Sequence, residues 1–165
     1  MVVCLSVCHS PRMDSTCEHL SQSKHLNVPD FCCRAAVVQG DMVSSMLVEV
    51  GSIDTILCLS VTKWIHMNGG DAALETLFEH FRQALVPGGL LILEPQPWRS
   101  YTAALRKREV TIALRDDALA KLQIRPEDFP QHLAARGFRL VRQLLEPDSI
   151  KGFGQRPMYL FERMP

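Results

Sequence analysis

Ser52-Ile53-Asp54-Thr55-Ile56-Leu57-Cys58-Leu59-Ser60-Val61-Thr62-Lys63-Trp64-Ile65-His66-Met67-Asn68 is the stretch that decides the fold. Its first part, Ile53 to Ser60, is a short apolar run of the kind a buried strand needs. The run stops at Val61, and Thr62-Lys63-Trp64 reads as a loop. From Asp71 to Leu85, apolar residues fall at Leu74, Leu77, Phe78, Phe81 and Leu85, the spacing of one helical face. Asp71 can cap the start of that helix, and Pro87-Gly88-Gly89 ends it. Leu90-Leu91-Ile92-Leu93 is the next buried strand, and Glu94-Pro95-Gln96-Pro97-Trp98-Arg99-Ser100-Tyr101 leaves it. Strand, helix, strand with short links makes a right-handed crossover between parallel strands. Both loops then leave carboxyl ends and meet on one edge of the sheet, where open parallel sheets bind ligands. Lys63, Trp64, Trp98, Arg99 and Tyr101 converge there. Two readings stay open: the tryptophans plug the top of the sheet, or they wall a binding site.

A chain of 165 residues, 47% of them hydrophobic, fits one ordered domain with a core. The net charge is zero, which argues against a generic polyanion binder. The distribution is uneven. Arg99 to Arg156 holds 12 basic and 7 acidic residues, and residues 1–98 hold 5 basic and 10 acidic, so the C-terminal half is the better nucleic-acid side. For Arg106-Lys107-Arg108 alone, a solvated helix face is the simpler reading. No segment reaches the ~18 apolar residues of a membrane span. The apolar start Met1 to Cys8 lacks a basic flank and a cleavage site, so no signal peptide is expected. The six cysteines are then expected to be reduced thiols.

Residues 1–34 form an atypical Cys-rich N-terminal extension, with Cys4, Cys8, Cys17, Cys32 and Cys33 among His9, His19 and His25. No metal site is expected there: Cys4-x3-Cys8 has no second pair at knuckle distance, and adjacent Cys32-Cys33 chelate one ion poorly. Ala35 to Gln39 is a plausible strand, and Asp41 reads as a turn residue. Val43 to Val50 is a short helix or turn. Thr102 to about Leu122 is helical, as one helix or two, because its apolar positions drift off any single face. Pro126 suits a first helical turn and Gly137 a stop. Phe138 to Leu145 and Pro157 to Phe161 read as strands. The fold class is α/β.

The blocks Leu57 to Asn68, Gly70-Asp71 and Leu93-Glu94-Pro95-Gln96-Pro97-Trp98 with Ser100-Tyr101 resemble the bicoid-interacting-protein-three type of RNA methyltransferase. So do Arg125-Pro126-Glu127-Asp128-Phe129, Lys151-Gly152-Phe153 and Gln155 to Phe161. The likeness spans roughly residues 35–163 and is nearest to the methylphosphate-capping branch. It implies the C-terminal part of a Rossmann-like class I S-adenosylmethionine-dependent fold, a parallel sheet with a terminal antiparallel strand. Residues 35–165 would then be a partial methyltransferase domain.

The resemblance also implies a chemistry: methyl transfer from S-adenosylmethionine to the 5′ (gamma-)phosphate of a small RNA. Asp41 could accept from the adenine amino group, with Met42 over the adenine face, and Leu59 and Ser60 lying along the donor. Lys63, Tyr101, Lys151 and Arg156 fall in segments of the RNA-end pocket and are the candidate catalytic residues. Trp64 and Trp98 could stack on the first base or shape the pocket, Arg99 could contact phosphate, and Ser100 and Tyr101 could donate hydrogen bonds to its oxygens. His66 is not required, since a phosphate anion needs no general base, and a satisfied structural histidine serves as well. Partners implied are an RNA 5′ end of small nuclear RNA type and RNA-binding proteins of the same particle, with no membrane. Nuclear placement follows from the resemblance; cytoplasmic placement is the alternative. Residues 1–34 contain no Gly-x-Gly after an apolar strand, and the first glycine is Gly40. The sequence therefore reads as the second half of a catalytic domain. The alternative is a catalytically inactive RNA-end or protein-binding module, and a Cys/His metal-binding accessory domain is a third.

Overall fold

The computed structural model describes residues 41–106, 118–145 and 156–165. The Cys-rich stretch, the strand expected at 35–39, and Lys151 lie outside the described residues. Among the described residues, four strands form one sheet: β1 (Ile53–Leu59), β2 (Leu85–Glu94), β3 (Phe138–Leu145) and β4 (Pro157–Arg163), in the spatial order β1-β2-β4-β3. β1 and β2 are parallel, and β4 runs antiparallel between β2 and β3. The terminal antiparallel strand expected from the resemblance is therefore present, inserted inside the sheet.

The connection from β1 to β2 is α1 (Thr62–Ala84). It begins nine residues earlier than the periodicity indicated, so Thr62-Lys63-Trp64 is its first turn and not a loop. Sequence periodicity misses this turn because α1 is two helical pieces joined at Gly70, whose φ of 71° and ψ of −171° are non-helical. The first piece buries Thr62, Lys63 and His66 beside Ile65 and Met67, so no apolar stripe runs through both. Asp71 lies inside α1 beyond the kink and is not its N-cap.

The second piece buries Leu74, Leu77, Phe78 and Phe81, the face the spacing predicts. It ends at Ala84, and Leu85 already begins β2. Pro87-Gly88-Gly89 is an irregularity inside β2: Ile53 pairs with Leu85 but Thr55 with Leu90. Gly88 takes φ 81° there, open to glycine at no steric cost.

α2 (Trp98–Arg106) follows β2, and α3 (Ala118–Lys121) stands where the far end of the expected helical stretch falls. A short 3-10 turn at Pro126–Asp128 runs into α4 (Phe129–Ala134), so Pro126 and Pro130 each sit in a first turn. Gly137, at φ 81°, closes that unit as expected.

Two apolar clusters hold these elements. The larger joins Ile53, Ile56 and Cys58 of β1 to Leu91 and Leu93 of β2, Phe161 of β4, the α1 face, and Phe129 and Leu133 of α4. Phe78 meets Phe129 edge-on, with ring centres 5.5 Å apart. Burial pushes the Cys58 thiol up to about 12, so it behaves as an apolar filler. The smaller cluster is Met67, Tyr101, Ala104 and Leu122, with Trp64 and Trp98 packed against it. It sits between the first piece of α1, α2 and α3, beyond the carboxyl ends of β1 and β2. Among the described residues no helix is long and apolar enough to cross a membrane.

Candidate functional site

Three chain segments meet at the carboxyl ends of β1 and β2. β1 ends at Leu59, which is 43% exposed, and the chain turns at Ser60 with φ 57°, a left-handed conformation rare for a residue with a Cβ. The turn is held by Glu94 at the end of β2. The Ser60 amide donates to the Glu94 carbonyl at 3.1 Å, and the Ser60 hydroxyl donates to Glu94 Oε2 at 2.8 Å. Arg156, just before β4, donates from Nη1 to Ser60 Oγ at 2.8 Å and to Glu94 Oε1 at 3.1 Å. The pairing of Leu93 with Tyr159 brings Arg156 to this edge. A buried carboxylate is tolerated when it is paired and hydrogen-bonded, and Glu94 is both.

Gln96, 4% exposed, completes the junction. Its Nε2 donates to the Ser60 carbonyl at 2.5 Å, and its Oε1 accepts from the Lys63 amide at 3.3 Å. One side-chain amide thus ties the end of β1 to the first turn of α1. The Lys63 Nζ lies 4.0 Å from the centre of the Trp64 ring, a cation–π contact.

On the neighbouring side, Tyr101 is fully enclosed. Its ring stacks on Trp98 with centres 4.8 Å apart and planes 26° apart. The Arg125 guanidinium lies 3.6 Å from the Trp98 ring centre. The Tyr101 hydroxyl is 3.3 Å from Nδ1 of His66, and Nε2 of His66 is 2.6 Å from Asp71 Oδ1. Asp71 also accepts from the amides of Gln123, at 2.8 Å, and Ile124, at 3.3 Å. Burial alone would push Asp71 up, but these hydrogen bonds hold its carboxyl below the usual range. Burial lowers His66 more than Asp71 raises it, which favours the neutral imidazole. Burial also raises Tyr101 far above the usual phenol range, so the hydroxyl stays protonated.

The candidate residues are therefore distributed as follows. Leu59, Ser60, Lys63, Trp64, Trp98, Arg99, Ser100, Tyr101 and Arg156 lie in the segments around this edge, with Arg99 exposed and the Ser100 hydroxyl buried without a partner among the described residues. Tyr101 differs from the expectation of a phosphate donor in one respect: its ring is enclosed and its hydroxyl faces His66. Asp41 is exposed and accepts from the Val43 amide and the Ser44 hydroxyl, the turn geometry its sequence also allowed. Met42 departs from the expectation that its thioether covers an adenine. It is fully enclosed in the main core, and its carbonyl accepts from His80 Nδ1. Sequence reasoning placed Glu94 and Gln96 in a motif without giving them tasks, and read Asp71 as a helix cap where it instead receives His66 and the amides of Gln123 and Ile124. The Gly69-Gly70 pair ahead of Asp71 was the signal for a kink that turns His66 and Asp71 toward each other.

Comparison with known proteins bears on the same segments. The family model described as Bicoid-interacting protein 3 (Bin3) matches residues 53–163. The chain is 41% identical over 113 residues to the 7SK snRNA methylphosphate capping enzyme of Homo sapiens, covering 67% of this chain and 16% of that protein. It is 36% identical over 118 residues to the U6 snRNA methylphosphate capping enzyme Amus of Drosophila melanogaster, covering 70% of this chain and 38% of that one. The chain thus spans well under half the length of these relatives. In fold it is similar to the CurJ carbon methyltransferase, with a TM-score of 0.54 at 20% identity over 74% of this chain and 34% of that chain. The strand order with its inserted antiparallel strand, the junction around Glu94-Pro95-Gln96-Pro97-Trp98 and the family match across residues 53–163 agree: the chain belongs to the Bicoid-interacting protein 3 family.

Proposed function

We propose that this chain is the RNA-end half of a methyltransferase that transfers a methyl group from S-adenosylmethionine to the 5′ phosphate of a small RNA, with the gamma-phosphate of a triphosphate end as the preferred acceptor. The observation that carries the reading is the three-way junction of Ser60, Glu94 and Arg156 at the carboxyl ends of parallel strands, flanked by Lys63, Trp64 and Trp98. The names of the relatives support the substrate class: both act as methylphosphate capping enzymes on small nuclear RNAs.

The described residues fit a donor in part. Leu59 offers exposed apolar surface at the strand end, and Asp41 is an exposed carboxylate with acceptor capacity beyond its turn. Met42 does not contribute a face, because it is enclosed. When bound, S-adenosylmethionine supplies an electrophilic methyl group on a good leaving group. The residues of this chain have the other tasks. Lys63 and the cationic edge attract a polyanionic terminus. Trp64 and Trp98 shape an apolar wall that limits water and fixes approach. A phosphate oxygen is already an anion at neutral pH, so none of these side chains must take a proton. The left-handed Ser60, locked by Glu94 and Gln96, keeps the floor of the site rigid.

The finer assignments extend the proposal: an RNA of small nuclear type, RNA-binding proteins of the same particle as partners, and nuclear residence. Calorimetric titration with S-adenosylhomocysteine, then with 5′-triphosphorylated and 5′-hydroxyl RNA oligonucleotides, tests it. Micromolar binding of the nucleoside and a preference for the phosphorylated end are expected. A folded protein that prefers neither would overturn it.

A further inference from the structure

His66 is wholly buried and is not needed for methylation of an anion. Its two ring nitrogens are nevertheless both engaged, and in opposite senses. Asp71 is an acceptor that already takes two backbone N–H groups, so His66 Nε2 must be the donor in the 2.6 Å bond. In the neutral ring that leaves Nδ1 as an acceptor, and among the described residues the proton directed at it is that of the Tyr101 hydroxyl, 3.3 Å away. The Tyr101 proton is therefore turned inward. Tyr101 meets the His66 ring edge-on, centres 5.7 Å apart at 83°, and carries Trp98 flat on its own face. Trp98 is partly exposed, packed at the edge where β2 ends.

We propose that His66 is a positioning residue for the RNA-end pocket: with its tautomer set by Asp71, it holds Tyr101, and through Tyr101 it fixes the plane of Trp98. The inference rests on the reading of this edge as the RNA-end site. Tyr101 then serves as a support and gives no proton to the substrate. Asp71 ties the same chain of contacts to the amides of Gln123 and Ile124, so the segment leading into Arg125 is set by the same device. Arg125 in turn lies against Trp98.

Two substitutions separate positioning from simple structural support. His66→Gln can keep a donor near the Nε2 position for Asp71 but offers Tyr101 no acceptor. His66→Asn can keep an acceptor near the Nδ1 position for Tyr101 but releases Asp71. Tyr101→Phe keeps the ring and removes the hydroxyl. The readouts are affinity for a 5′-triphosphorylated RNA oligonucleotide and the 19F resonances of protein labelled with fluorotryptophan, whose two indoles report separately. His66→Gln and Tyr101→Phe should each weaken binding by about tenfold, the loss of one hydrogen bond's worth of order. Each should shift the Trp98 resonance and leave that of Trp64 in place. The double variant should be no worse than either single one. His66→Asn, where it folds, should bind within about twofold of the parent; where it does not fold, the other two variants decide. If His66→Gln and Tyr101→Phe bind RNA like the parent with Trp98 unshifted, the positioning role is wrong and the RNA-end reading stands. If the parent itself does not prefer the phosphorylated end, both fall.

Discussion

Ser60 and Glu94, 34 positions apart in sequence, are bonded twice, once through the backbone at 3.1 Å and once from hydroxyl to carboxylate at 2.8 Å. This double link joins the ends of two parallel strands at the point where the backbone turns left-handed, and Arg156 closes it from a third strand. Replacing Glu94 by Gln keeps the shape and removes the charge that Arg156 meets. A loss of about 2 kcal/mol in unfolding free energy is expected by urea titration, as for a charged hydrogen bond broken in a partly buried place. Ser60→Ala should cost more than Ser60→Gly, although both remove the hydroxyl, because glycine adopts the φ of 57° without strain.

The kink in α1 depends on Gly70. Its φ of 71° with ψ of −171° belongs to a region that residues with a Cβ avoid. Gly70→Ala should lower stability by about 1–3 kcal/mol even though a Cβ there meets no atom within 4 Å. Thermal melting checks this. A neutral result would mean that the two pieces of α1 can join in another way.

Acid should destabilise the protein in two stages. His66 has a folded pKa held below its ordinary 6.5 by burial, so the unfolded chain takes up its proton first. The stability this contributes is complete above that value and is lost as pH falls through and below it. Asp71 is also depressed, and its contribution is lost in a lower window that opens near its ordinary 3.8. Melting temperature should therefore be flat above pH 6.5 and fall below it, and His66→Gln should remove the upper stage. A melting temperature that rises as pH falls from 7 to 5 would contradict the buried, neutral His66.

Substitutions in the helix–sheet core and on the exposed edge strand should differ sharply. Phe78 is fully buried between α1 and α4, and Phe78→Ala should cost about 3–5 kcal/mol. Leu140 on β3 is 44% exposed, and Leu140→Ala should stay within about 0.5 kcal/mol. Parallel urea titrations of the two variants measure the contrast.

Much of the fold was legible locally. The apolar runs at Ile53 and Leu90 and the stripe from Leu74 to Phe81 describe elements with at least one face in the core, and a regularly buried face writes itself into residue spacing. The first turn of α1 was not legible, because Thr62, Lys63 and His66 are polar residues that the completed fold buries, with the Lys63 ammonium against the Trp64 ring and the His66 imidazole on Asp71. Spacing rules count such residues as solvent-facing. The candidate edge was legible for a topological reason: two parallel strands must end on the same side, so the residues after them must meet.

By itself the sequence determined the order of elements, the helix face that enters the core, and the edge on which the Trp64 and Trp98 segments gather, since these depend on periodicity and chain direction. Only the tertiary structure decided what the polar residues at that edge do. Glu94, Gln96 and Asp71 each take hydrogen bonds from residues that are remote in sequence or across a kink, and Met42 turns into the core where a surface role was expected. The physical reason is reach. Burial of a stripe is fixed by neighbours one turn away, whereas the partner of a buried polar atom is fixed by whichever segment the completed fold brings within about 3 Å.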